Sequence, residues 1–114
     1  MPIEGFTPYP SDKARLYREK GYWLDLTLGD ILDRAAWTLP NKEAVWDQRV
    51  RVTYAQLKEK ADRLAIGLLE MGIQKDDRIV VQIPNWVEFL YLYFAMAKIG
   101  AIGVMALPAH RARE

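Results

Sequence analysis

Apolar residues recur at helical spacing in several stretches of this chain and gather into short β-branched runs between them. Residues Met1 to Pro10 stand outside that pattern. They hold three prolines and a glycine, which favours an extended arm, because proline fixes φ and lacks a backbone donor. Ser11 is placed to cap a short helix to about Lys20, with Leu16 and Tyr17 as packing positions and Gly21 as its stop. Thr27 followed by Asp30 has the spacing of a capping box. Leu28, Ile31, Leu32 and Ala35 then share one face until Pro40 forbids continuation, which predicts a helix from Leu28 to about Thr38.

Glu43 to Trp46 and Arg49 to Val52 are β-prone runs around Asp47-Gln48 and predict a small hairpin ending at Thr53. Thr53 and Gln56 form a second capping-box pair, and Leu57, Ala61, Leu64, Leu68 and Met71 recur at helical spacing before Gly72. The other face of that helix carries Lys58, Glu59, Lys60, Asp62 and Arg63 and reads as solvated. Arg78 to Ile83 is a β-branched run suited to a strand covered on both faces, and Pro84 ends it. Asn85 is placed to cap the following helix, with Glu88 answering it, and Trp86 to Ile99 is almost wholly apolar up to Gly100. Ala101 to Leu107 is again short and apolar. Arg78 to Leu107 therefore reads as strand, helix, strand, the unit of a parallel crossover, and the fold class is α/β. The chain ends at Arg111 to Glu114, where a further helix is expected to start, so it reads as an incomplete part of a larger domain.

Composition narrows the partners. Hydrophobic residues make up 51% of the 114 and charged residues 27%, the balance of a packed protein rather than a disordered chain. Sixteen basic against fifteen acidic residues give a formal charge of +1, so there is no basic field to hold nucleic acid or an anionic membrane. Cysteine is absent, which removes disulfides, thiolate nucleophiles and cysteine metal sites. The first residues mix charge with proline and offer neither a signal-peptide core nor a membrane span, and the expected location is cytoplasmic.

Candidate chemistry is sparse. The sequence holds no glycine-rich phosphate loop, no GxSxG elbow and no His/Glu metal helix, so no catalytic residue and no metal ligand is assigned. His110, the single histidine, follows a predicted strand end, where open α/β sheets collect ligands, but it has no visible partner. Arg111 and Arg113 have the forked geometry that grips phosphate, although arginines in such a place are more often simply solvated. Trp86, Phe89, Tyr93 and Phe94 lie on one helical face and read as core, not as a stacking platform. Tyr22 and Trp23 read first as an aromatic plug pinning the arm, and second as site lining.

Val52-Thr53-Tyr54-Ala55-Gln56-Leu57 resembles the first core motif of the adenylate-forming ligase superfamily. Ala97-Lys98-Ile99-Gly100-Ala101 through Leu107-Pro108 resembles the second, at a fitting separation and with Pro84-Asn85 between them. Tyr17 to Trp23 and Ala106-Leu107-Pro108-Ala109-His110-Arg111 are similar to the aryl-acid branch typified by 2,3-dihydroxybenzoate-AMP ligases of siderophore assembly. The resemblance implies a parent enzyme that uses ATP with magnesium to turn an aromatic acid into an acyl-adenylate. The acyl group would then pass to the phosphopantetheine thiol of an aryl carrier protein or to coenzyme A. In such a reaction charge grows on phosphorus while two anions meet, which demands phosphate donors, a cation and a positioned lysine. In the family those groups come later in the chain, so these 114 residues are expected to be inactive alone and to bind neither ATP nor magnesium. In some aroyl-CoA ligases an arginine just past the second motif contacts the nucleotide. Arg111 is the matching position and His110 its neighbour, with Ala109-His110 in place of the usual Asn-Pro. That departure fits a carrier-protein acceptor better than coenzyme A. Two alternatives stand: a ligase forming coenzyme A thioesters of aromatic or alicyclic acids, and a non-catalytic α/β interaction module. The expected partners are the remainder of the parent enzyme and, for the isolated segment, other copies of itself.

Overall fold

A computed structural model describes residues 4–112. Its elements run in the order α1 (Ser11–Glu19), α2 (Leu28–Thr38), β1 (Glu43–Trp46), β2 (Arg51–Thr53), α3 (Tyr54–Glu70), β3 (Arg78–Val81), α4 (Val87–Ile99) and β4 (Ile102–Met105). The mixed α/β class is as the pattern predicts.

Both capping boxes are present. The Thr27 and Asp30 side chains satisfy each other's backbone N–H groups at the start of α2, and Thr53 with Gln56 does the same for α3. Helix α1 differs from expectation: Pro10 occupies the cap position, Ser11 is already helical, and no side chain caps the end. Ala14 N–H closes the first turn on the Pro10 carbonyl at 2.9 Å, so the fixed φ of proline sets the helix entry. Residues 6–10 have no regular structure, and the beginning of the predicted arm, 1–3, lies outside the described residues.

Strands β1 and β2 pair antiparallel, with an irregularity between Glu43 and Val45. The turn needs no glycine because Gln48 itself takes a left-handed conformation at φ 70°. Strands β3 and β4 pair parallel in register from Arg78↔Ile102 to Val81↔Met105, with α4 as the crossover. Gly100 ends α4 in the left-handed region at φ 76°.

The core gathers Leu32, Val52, Leu57, Ala61 and Val87, with Val45, Leu90 and Phe94 packed against it. It is therefore built where α2, α3, α4 and the hairpin meet. The Met71 end of the predicted apolar stripe is 79% exposed. Two further expectations are corrected. Strand β3 is not covered on both faces: Val81 is buried, but Val80 is 69% exposed, because no layer of this two-stranded sheet packs over its side. Trp86 is not core: it is half exposed and lies beneath the Arg49 guanidinium, 5.0 Å from the ring centre.

The aromatic plug expected to pin the arm to the body of the protein forms only against α1, through Trp23, while Tyr22 is exposed. Tyr9 packs edge-on to Trp23 at 5.0 Å between ring centres, and Trp23 meets Tyr17 of α1 at 5.4 Å. It fastens the end of the arm to α1, which makes no extensive contact with the other elements.

Candidate functional site

Three polar constellations stand out, and only one contains the residues expected to touch a ligand. At the carboxyl end of the parallel pair, Ala106 N–H donates to the Val81 carbonyl at 2.9 Å, one step past the last strand residue. The chain then closes a turn in which His110 N–H donates to the Leu107 carbonyl at 3.0 Å. Gln82, directly after β3, donates from Nε2 to the Leu107 carbonyl at 2.9 Å and to the His110 carbonyl at 3.1 Å. His110 and Arg111 thus follow a braced turn at the sheet's carboxyl edge, both exposed. Arg113 lies outside the described residues. The chain pattern pointed to this edge but not to Gln82. Its one signal is a lone amide immediately after an apolar strand.

The second constellation fixes the start of α4. The Asp47 side chain, 4% exposed, accepts the Val87 N–H at 3.0 Å and pairs with Arg49 at 2.5 Å. Its other oxygen accepts the N–H groups of Arg49 and Val50. Arg49 in turn reaches Glu88 at 2.7 Å. Asn85, the expected cap, makes no such bond: Trp86 is the cap residue and has no side-chain cap. The expected answer from Glu88 is likewise replaced by its pair with Arg49. The Val87 N–H, followed by the Arg49 guanidinium and then the N–H groups of Arg49 and Val50, outweighs the opposing effect of burial and holds the Asp47 carboxyl well below the usual carboxylate range.

The third ties three helices. Lys98 Nζ of α4 lies 2.5 Å from Asp33 of α2 and also contacts Asp62 of α3, while Lys58 pairs with Asp62 at 2.5 Å. The Lys98 side chain is only 14% exposed. Its stem crosses α2 at Gly29, where an added Cβ would stand 2.9 Å from Lys98 Cγ. The charged face of α3 is thus not wholly solvated as its pattern predicts, for Lys58 and Asp62 belong to this node. Glu59 and Arg63 do remain a surface pair, at 3.1 Å.

Among the described residues no three acidic or imidazole side chains converge as ligands, and Asp33 and Asp62 are already turned onto lysine ammonium groups.

The chain is thus an α/β segment with a parallel strand-helix-strand crossover and an exposed carboxyl edge. Residues 32–114 match the family model described as AMP-binding enzyme. The chain is 42% identical over 112 residues to 2,3-dihydroxybenzoate-AMP ligase of Bacillus subtilis, covering 98% of this chain and 21% of that protein. It is 44% identical over 117 residues to salicyl-AMP ligase / salicyl-S-ArCP synthetase of Mycobacterium tuberculosis, with the same coverage, 98% and 21%. The apo structure of Mycobacterium smegmatis MbtA superposes with a TM-score of 0.89 at 46% identity, over 96% of this chain and 21% of that one. The chain belongs to the AMP-binding enzyme family, and it spans about a fifth of the length of the relatives it matches.

Proposed function

We propose that this chain is the amino-terminal segment of the large domain of a ligase that uses ATP to activate an aromatic carboxylic acid as its acyl-adenylate and passes the acyl group to a phosphopantetheine thiol. The observation that carries this reading is likeness along almost the whole chain to two relatives whose names specify aryl acids joined to AMP. The second relative's name includes an aryl carrier protein, which supports a carrier-borne thiol as acceptor, with coenzyme A the other acceptor of the same chemistry.

Within that enzyme the segment is scaffold. The Asp47 and Lys98 constellations lock α4 in place, and α4 feeds β4, which the Leu107–His110 turn and Arg111 follow. In this reading His110 and Arg111 contact a reactant and make no bond to it. ATP and magnesium are held by the remainder of the parent enzyme in this reading, which also covers the open face of the β3–β4 pair. No helix among the described residues is long and apolar enough to cross a membrane, and a cytoplasmic enzyme is the location that accords with ATP as substrate.

The test is ATP–pyrophosphate exchange in the presence of magnesium and a panel of aryl acids that includes 2,3-dihydroxybenzoate and salicylate. The full-length ligase is expected to exchange with at least one, and the isolated 114 residues with none. No exchange by the full-length protein on any aryl acid overturns the substrate class, and exchange by the isolated segment overturns its role as scaffold.

A further inference from the structure

Residues 9–25 hold together by contacts that stay among themselves. Helix α1 closes on the Pro10 carbonyl at one end, and beyond its other end the Tyr22 and Trp23 N–H groups both donate to the Tyr17 carbonyl, at 2.8 and 3.2 Å. The rings of Tyr9, Tyr17, Tyr22 and Trp23 touch one another. Among the described residues no hydrogen bond, ion pair or ring contact joins this stretch to the chain after Thr27. Ala14 is its one buried residue, and Tyr17 and Trp23 are half-buried. A single packed body of this length has a radius of gyration of about 13 Å. The observed value is 16.6 Å, in keeping with a unit that projects.

One side chain spans the junction between this unit and the body. Arg18 Nε donates to both Asp25 carboxylate oxygens at 3.0 and 2.9 Å, and the guanidinium lies 5.6 Å from the centre of the Trp23 ring. Asp25 takes a left-handed conformation at φ 53°, which a β-carbon disfavours, so the ion pair fastens a strained residue where the chain leaves the unit. Both side chains are more than half exposed, and dissolved ions therefore reach the pair.

We infer that residues 9–25 are a hinged unit that opens as a whole while α2, α3 and α4 stay packed, with the Arg18–Asp25 pair as a salt-sensitive latch on a hinge at Leu24–Leu26.

The test is hydrogen–deuterium exchange on the full-length ligase at low and high potassium chloride, following the bonded amides of Ala14, Lys20, Tyr22 and Trp23 against those of α3. Opening as one unit gives these four amides a common opening equilibrium, at least about tenfold larger than that of α3, whereas fraying from the chain end gives a gradient that falls from Ala14 to Trp23. High salt is expected to raise the opening about threefold, the size of an exposed ion pair. Arg18→Met keeps the stem and Asp25→Asn keeps the tolerance for the left-handed region, and each removes one charge. Both are expected to raise the opening by that factor at low salt and to abolish its salt response, with α3 unchanged. Exchange as slow as in α3, a gradient from the chain end, or variants that leave the opening or its salt response unaltered would each overturn the inference. Equal acceleration of α3 would do so too, because the unit would then open only with the core. None of these readouts uses activity, so the function proposed above stands or falls separately.

Discussion

Asp47 joins a hairpin turn to a helix that begins forty residues later, and every oxygen lone-pair direction it uses is aimed at a donor. A carboxylate at a helix start satisfies an orphan N–H and faces the positive end of the helix dipole. Asp47→Ala is therefore expected to lower the denaturant midpoint clearly, Asp47→Asn to lower it less because one acceptor oxygen survives, and Asn85→Ala to leave it nearly unchanged. An Asn85→Ala loss as large as that of Asp47→Ala would restore the local cap. The folded carboxyl sits below its ordinary value of 3.8, so its contribution is present above that pH and fades only as pH falls through the lower, folded value. Caps at Thr27 and Thr53 were legible because donor and acceptor lie three residues apart in sequence. The Asp47 cap was not, since nothing in the spacing of Asn85 and Glu88 shows that a distant turn has already taken the position.

At the level of elements, Lys98 sets how α2, α3 and α4 lie on one another. Burial acts to lower its pKa, but the facing Asp33 and Asp62 carboxylates outweigh that and raise it. For Asp62 burial acts to raise the pKa, and the Lys58 and Lys98 ammonium groups overcome it, leaving it lowered. The Lys98 contribution is thus complete below its ordinary 10.5 and lost as pH climbs through the raised folded value. That of Asp62 is complete above its ordinary 3.8 and lost as pH falls through the lowered one. Lys98→Ala is expected to cost about 1–2 kcal/mol, discounted because both carboxylates keep contact with water. The difference from wild type should be flat between about pH 5 and 9 and shrink at both extremes. A cost that does not change with pH would mean that the lysine stem packing on Gly29, and not its charge, accounts for the effect. The helical stripe of α3 was readable from its own period. The node was hidden because its partners are 36 and 65 residues from Lys98, and a charged face looks the same in sequence whether water or a lysine meets it.

Across the whole molecule, the parallel pair presents an apolar face with little over it. Val80 and Val104 are partners in the register on that face and are 69% and 42% exposed. Covering such a face contributes about 25 cal/mol for each Å² of apolar area, and a net charge of +1 opposes association only weakly. The isolated segment is expected to self-associate, with mass by light scattering rising with concentration and Val80→Lys reducing the rise. A monomer at every concentration would show that the exposed face has no tendency to be covered by another copy. The α/β class and the parallel crossover were legible because strand and helix periods alternate cleanly from Arg78 to Leu107. The state of each strand face was not, since a β-branched run reads identically whether one side or both are covered.

The aromatic contact between the arm and α1 also gives the chain a built-in optical label. Of the four tryptophans, Trp37, Trp46 and Trp86 are exposed, whereas Trp23 is half-buried against Tyr9 and Tyr17. Indole emission shifts to longer wavelength as water reaches the ring, and aqueous iodide quenches the indoles it can touch. Iodide is expected to quench the three surface rings more strongly than Trp23, so the emission that resists it is weighted toward Trp23. Detachment of the arm can then be followed by colour alone, independently of whether the three-helix core is still folded.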